Sequence, residues 1–153
     1  MSSSILILNG PNLNQLGRRE VSVYGEATYQ DLVKLCEKTG HALGLSIQIQ
    51  QYNHEGDLIE AIHAAVGETD GLIINAGAFT HTSLALHDAL RLYPHPLLEV
   101  HISNIFARES VRHHSYVAPL AKGTICGFGI NGYKYALMHL AELLNSHDEN
   151  SLK

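Results

Sequence analysis

Fully apolar runs alternate along this chain with stretches in which apolar residues recur every three or four positions. Ile5 to Leu8 is uniformly apolar and ends on Asn9, so residues 5 to 9 read as a strand buried on both faces. Thr28-Tyr-Gln-Asp31 has the form of a capping box with Asp in place of Glu, and Leu32, Leu35, Cys36, Ala42 and Leu43 follow at helical spacing despite Gly40. Leu45, Ile47 and Ile49 alternate with Ser46, Gln48 and Gln50, the pattern of an edge strand with one wet face. Leu58, Ile59, Ile62, Ala65 and Val66 predict a second helix, and residues 71 to 74 a second fully apolar strand, which runs into Asn75. Thr82 is placed to cap a third helix carrying Leu86 and Leu90, which stops near Pro94 and Pro96. A fourth strand is expected from Leu97 to Ile102, a short fifth from Thr124 to Phe128, and a last helix through Tyr133, Ala136, Leu137, Leu140 and Leu144. Strands alternating with helices predict an α/β sandwich: five parallel strands with helices on both faces, closer to the flavodoxin-like order 2-1-3-4-5 than to a six-stranded dinucleotide fold. Ligands bind such sheets above the carboxyl edge of the strands, where the amides, histidine and serine that end these runs should converge.

At 153 residues and 45% hydrophobic, the chain can bury a sizeable core without disulfides or metals, and no composition break divides it. A single domain over 1–153 is expected, its core spanning about residues 5 to 144. The formal charge of -5 and the pI near 6.1 argue against a nucleic-acid surface. No secretory signal pattern or apolar run of membrane-spanning length is present, so no membrane partner is expected. Cys36 lies on the apolar stripe of a helix and Cys126 in a glycine-flanked apolar run. Both read as buried thiols of a reducing compartment, which makes the cytoplasm the expected location.

The segments 10 to 27 and 103 to 123 lack an apolar period, and loops of such length in a small domain are often lids or binding loops. Gly17-Arg-Arg-Glu-Val-Ser-Val-Tyr-Gly25 would suit a lid over an anion, but a solvated loop with Tyr24 on its rim fits the same residues. Glu99, His101 and Ser103 stand at alternate positions and share a face if the strand continues that far. A carboxylate beside an imidazole fixes its tautomer and favours its protonated form, as proton delivery to a leaving group requires. The alternative is a polar strand end with a structurally satisfied histidine. A Ser-His-Glu hydrolase triad is weaker, because Ser103 lies in no Gly-x-Ser-x-Gly elbow and the three groups are too close in sequence to surround a scissile carbonyl. The spacing of His81 with His87, and of His113 with His114, makes no recognised chelating face, so no metal is expected. Gly127-Phe-Gly129-Ile-Asn-Gly132 matches the dinucleotide glycine pattern, but no second strand follows to supply an acidic ribose ligand, and close helix–sheet packing is the better use of these glycines.

Taken together, Asn9-Gly-Pro-Asn-Leu-Asn14, Gly17-Arg-Arg-Glu20, Tyr24-Gly25, Asn75-Ala-Gly-Ala-Phe-Thr-His81-Thr-Ser83, Glu99-Val-His-Ile-Ser-Asn104 and Arg112-His-His-Ser115 resemble the type II 3-dehydroquinate dehydratases, in the family's order from residue 5 to about 144. The resemblance implies a flavodoxin-like enzyme without cofactor or metal. It would dehydrate 3-dehydroquinate to 3-dehydroshikimate, for aromatic amino acid biosynthesis or quinate breakdown, and assemble as a dodecamer of four trimers. It implies Tyr24 as the phenolate base with Arg19 beside it, Asn12 stabilising the enolate, His101 as general acid and Glu99 as its orienting partner. By the same resemblance Ser103 and the backbone at Ile102 bind the substrate carboxylate, Asn75, His81 and Arg112 hold the ring hydroxyls, and Asp88 reaches a neighbouring subunit's site. The chain departs from many members at Val21-Ser22 and Ser110-Val111, where proline is common. The unbound lid should therefore have more conformations to order.

Overall fold

Residues 2 to 151 are described by the computed structural model, in which five strands form one parallel sheet with helices against both faces. The strands are β1 (Ser4–Asn9), β2 (Ser46–Gln51), β3 (Gly71–Asn75), β4 (Leu97–His101) and β5 (Gly123–Cys126), in the order β2-β1-β3-β4-β5. The helices that follow β1, β2, β3 and β5 are α1 (Tyr29–Ala42), α2 (Glu55–Ala65), α3 (Leu84–Leu90) and α4 (Asn131–Ser151). This is the flavodoxin-like arrangement expected from the pattern.

Successive side chains of a strand point to opposite faces, and a strand covered on both must be apolar at every position. Ile5 and Ile7 accordingly join the core with Leu32, Cys36, Tyr133 and Leu137 of α1 and α4, while Leu6 and Leu8 join the core with Leu58, Ile62, Leu86 and Leu90 of α2 and α3. β2 lies at the sheet edge, where Ser46 and Gln48 are exposed and Ile47 and Ile49 pack inward. Thr28 makes the reciprocal capping box with Asp31 that starts α1, each side chain accepting from the other residue's backbone N–H.

The structure departs from the pattern in four places. The cap of α3 is Ser83, whose hydroxyl accepts from the backbone N–H of Leu86 at 2.9 Å. Thr82 instead ends a separate single-turn helix, Phe79–Thr82, and its hydroxyl donates back to the Ala78 carbonyl. Residues 10 to 27 are not merely a loop: Leu13 and Leu16 are buried in the core beside α1, and Val21–Tyr24 forms a helical turn. β4 ends at His101, so Ser103 lies beyond the strand in a bend. Finally, β5 stops at Cys126, leaving that thiol half-buried, whereas Cys36 is enclosed and burial, with a smaller push from Glu37, raises it to about 12.

Close backbone approach at the carboxyl edge explains two glycines. A Cβ at Gly10 would stand 2.4 Å from the Ala76 carbonyl oxygen, so glycine lets the loop after β1 press against the loop after β3. At Gly132 a Cβ would already touch Ile125 and Val100 at 3.3 and 3.4 Å, which fits the helix-packing use expected of the Gly127–Gly132 run. Among the described residues no helix is long and apolar enough to cross a membrane.

Candidate active site

Every candidate residue except Glu99 and Asp88 lines one cavity at the carboxyl edge of the sheet. Strand ends and the loops that follow them supply it. Asn75 closes β3, His101 closes β4, and Ile102 and Ser103 extend from β4. Asn12 follows β1, and the helical turn Val21–Tyr24 folds over to bring in Tyr24. Left-handed backbone at Asn12 (φ 69°) and Glu20 (φ 36°), the non-glycine positive φ values among the described residues, starts the short turns Leu13–Gln15 and Val21–Tyr24 respectively. The Asn12 N–H donates to Asn53 Oδ1 at 3.0 Å.

Tyr24 sits between two guanidinium groups. Arg108 Nη1 donates to its hydroxyl oxygen at 2.8 Å and Arg19 Nη2 at 3.2 Å, while the Arg19 guanidinium carbon lies 4.6 Å from the ring centroid. Two cationic donors on one oxygen favour negative charge there. Arg19 was expected beside the tyrosine; Arg108 was not. Its signal in the sequence was weak, one of three cations (with Arg112 and Lys122) in the aperiodic 103 to 123 segment, and only folding shows that this segment returns to the Val21–Tyr24 turn. Arg108 also donates to Ser103 Oγ at 3.4 Å.

On the sheet side, Glu99 is 1% exposed and accepts from His101 Nε2 at 2.7 Å. It accepts as well from Ser115 Oγ at 2.7 Å and Thr124 Oγ1 at 3.1 Å. Burial alone would push this carboxyl up, but these donors together hold it below its ordinary value of 4.5. An ionised Glu99 can only accept, so His101 Nε2 carries a proton and Nδ1 is the nitrogen left for chemistry. The expected pairing of Glu99 with His101 is therefore present, but the sequence did not point to Thr124, and Ser115 stood in a noted motif without a role. Ser115 is itself held in place, accepting from the N–H groups of Val117 and Ala118 at 3.1 and 3.0 Å.

His81 stacks against His101, with ring centroids 6.1 Å apart. Burial holds it below its ordinary value of 6.5, opposed by the His114 carbonyl and reinforced by the neighbouring His101 and Arg112 charges. His81 Nδ1 lies 2.7 Å from that carbonyl and must be the protonated nitrogen, since a carbonyl only accepts. Nε2 of neutral His81 is thus an acceptor suited to a ligand hydroxyl. Arg112 lines the same cavity and is paired with Glu109. Asp88 is exposed on α3, away from this chain's cavity. No cluster of three or more potential metal ligands occurs among the described residues.

The three donors on Glu99 have a pH signature. A carboxyl whose folded value lies below its unfolded value adds stability above the unfolded value and loses it as the pH falls through the folded one. Thr124→Val removes one donor at nearly constant shape, so the folded value of Glu99 should rise. The stability gap to the parent should be full above about pH 4.5 and close as the pH falls below it. Denaturant unfolding from neutral pH to pH 3 measures this, and a gap constant with pH would assign the loss to packing.

The arrangement thus offers a base candidate activated by cations, an acid candidate oriented by a buried carboxylate, and three arginines, Arg19, Arg108 and Arg112, that favour an anionic ligand. The chain matches the family model "Dehydroquinase class II" over residues 3–141. It is 54% identical over 144 residues to 3-dehydroquinate dehydratase 2 of Pseudomonas putida, an alignment covering 94% of this chain and 97% of that one. It is 59% identical over 133 residues to the 3-dehydroquinate dehydratase of Dinoroseobacter shibae, covering 87% and 89%. The crystal structure of the type II dehydroquinase from Propionibacterium acnes superimposes with a TM-score of 0.89 at 45% identity, covering 93% of this chain and 98% of that one. Fold, cavity and similarity over nearly the whole length agree, and the chain belongs to the class II dehydroquinase family.

Proposed function

We propose that this single catalytic domain dehydrates 3-dehydroquinate to 3-dehydroshikimate in the shikimate route, through an enolate and without a cofactor. The observation that carries the reading is the Tyr24 hydroxyl, bracketed by Arg19 and Arg108, in the same cavity as the His101–Glu99 pair. The reaction removes a proton from C2, places charge on the C3 oxygen and expels the C1 hydroxyl. Tyr24 as phenolate accepts the C2 proton, and its arginines stabilise the anion before transfer. Asn12 aims an amide dipole at the developing enolate, through a water. His101 gives its Nδ1 proton to the departing hydroxyl, which leaves as water, while Glu99 stabilises the imidazolium beforehand. One proton gained by Tyr24 balances one lost by His101, so relay through solvent resets the site.

Ser103 and the backbone at Ile102 take the substrate carboxylate, helped by the positive field of the arginines. Asn75, His81 and Arg112 hold the ring hydroxyls. Adding 3-dehydroquinate to purified protein should produce the absorbance of a conjugated enone; a flat trace with intact, folded protein would remove the reading. The cytoplasm suits the two unpaired thiols.

The working unit in this reading is a homo-oligomer, a dodecamer of four trimers in which Asp88 reaches a neighbour's substrate. An exposed acid on α3 with no role in its own cavity supports this. If His101→Ala and Asp88→Ala proteins, each inactive alone, are dissociated and reassembled together, mixed interfaces should combine an intact His101 pocket with an intact Asp88 donor and activity should rise. Subunit exchange verified by native mass spectrometry without recovered activity would reject the cross-subunit role.

A further inference from the structure

Asn9 ends β1 with no solvent exposure and does not line the cavity, so its polar side chain needs another reason to be there. It stands opposite Asn75 in the parallel register of β1 and β3. Between the two amides lies the hydroxyl of Tyr133, a fully buried residue in the first turn of α4. Asn75 Nδ2 donates to Tyr133 Oη at 2.9 Å, and Tyr133 Oη donates to Asn9 Oδ1 at 2.6 Å.

The polarity of this chain of bonds is fixed at one end by a group that cannot reverse. The backbone N–H of Gly77 donates to Asn75 Oδ1 at 3.2 Å. Asn75 must then turn Nδ2 toward Tyr133, whose oxygen must accept and whose single proton must go to Asn9. Once these bonds are made, Asn75 retains one amide hydrogen, and Asn75 lines the cavity. We propose that Asn9 and Tyr133 are positioning residues for substrate binding: a buried relay that holds the Asn75 amide with an N–H toward the substrate's ring hydroxyls. The proposal rests on the substrate role given to Asn75 above. Neither Asn9 nor Tyr133 touches the substrate; each acts through Asn75. Without the Tyr133 oxygen, only the longer bond from Gly77 would restrain the amide. Without the Asn9 carbonyl, the phenol proton would lose its acceptor, and turned toward Asn75 it would compete with the amide hydrogen for the Tyr133 oxygen and weaken the hold on Asn75.

Tyr133→Phe keeps the ring and removes the relay. The Michaelis constant for 3-dehydroquinate should rise roughly tenfold, about what one hydrogen bond of ordinary net strength carries, with kcat within about threefold of the parent, because the lost contact serves ground and transition states alike. Asn9→Leu removes the acceptor at the other end and carries the same expectation, so the proposal stays testable if one variant does not fold. Leu137→Ala, in the same helix and core, should lower the melting temperature while leaving the Michaelis constant unchanged. Asn75→Ala should raise that constant at least as much as Tyr133→Phe. A parental Michaelis constant in Tyr133→Phe or Asn9→Leu, with a raised one in Asn75→Ala, would overturn the relay and leave the substrate role of Asn75 standing. A parental constant in Asn75→Ala would remove that role and the relay with it. An equal rise in Leu137→Ala would reduce the effect to general loosening and overturn the proposal.

Discussion

Tyr24→Phe should lower the maximal rate by at least about 100-fold while leaving fold and substrate binding largely intact, the lower range for loss of a positioned proton-transfer group. The substitution removes one oxygen from a ring that packs partly against the core beside α1, so its structural cost is small, while that oxygen is the atom on which Arg19 and Arg108 converge. Near-parental turnover in a folded Tyr24→Phe protein would exclude this tyrosine as the base. The two arginines provide an internal check. Free tyrosine ionises near pH 10, so a group that favours the phenolate is worth most at neutral pH and least in alkali. Arg19→Ala and Arg108→Ala should each be slow at pH 7 and regain part of the lost rate as pH rises. The loss should be greater for Arg108, whose contact is shorter, 2.8 Å against 3.2 Å. A deficit constant with pH would instead mean that these arginines hold the covering segment in place.

The features readable in advance were those dictated by local rhythm. Ile5 and Ile7 serve one core and Leu6 and Leu8 the other, and that double duty is why the run is apolar at every position. Thr28 capped α1 as expected because its partner Asp31 is three residues away, within the same turn. Thr82 and Ser83 show the limit of such reasoning: both are good caps, and the choice between them depends on where the preceding turn Phe79–Thr82 closes. Contacts made across the fold were less visible. Arg108 meets Tyr24 from 84 positions away, Ser115 and Thr124 meet Glu99 from 16 and 25 positions away, and Tyr133 meets Asn9 from 124. A periodicity cannot register such meetings, because no local preference depends on them. The family motifs located Tyr24, Arg19 and His101 because those tracts could be matched as words. Arg108 stands outside every matched tract and Thr124 in none, so their parts emerge only when the loops are seen folded together.

His101→Ala should remove most of the turnover, again at least about 100-fold, while Ser103→Ala should chiefly raise the Michaelis constant. The contrast separates proton delivery from carboxylate binding within three residues of one strand end. His101 has its Nε2 committed to Glu99 at 2.7 Å, which leaves Nδ1 to deliver a proton to a hydroxyl leaving as water. Ser103 Oγ has a different neighbour, the Arg108 guanidinium at 3.4 Å, a cation that can share a bound carboxylate but cannot take a proton from the serine. Nucleophilic catalysis at Ser103 would need a base hydrogen-bonded to its hydroxyl, and the side-chain partner of Ser103 Oγ is instead the Arg108 guanidinium, a donor that cannot serve as base. Mass spectrometry of enzyme quenched during turnover should therefore find Ser103 unmodified, and an acyl adduct there would overturn the mechanism. Glu99→Gln should fall between the two: an amide can still orient the imidazole, but it has no charge to stabilise the imidazolium, so the acid would be present in fewer molecules at neutral pH. Its rate should recover in part as pH falls and more of the imidazole is protonated, whereas that of His101→Ala should not recover at any pH. Recovery in both variants would mean that His101 orients the site and another group delivers the proton.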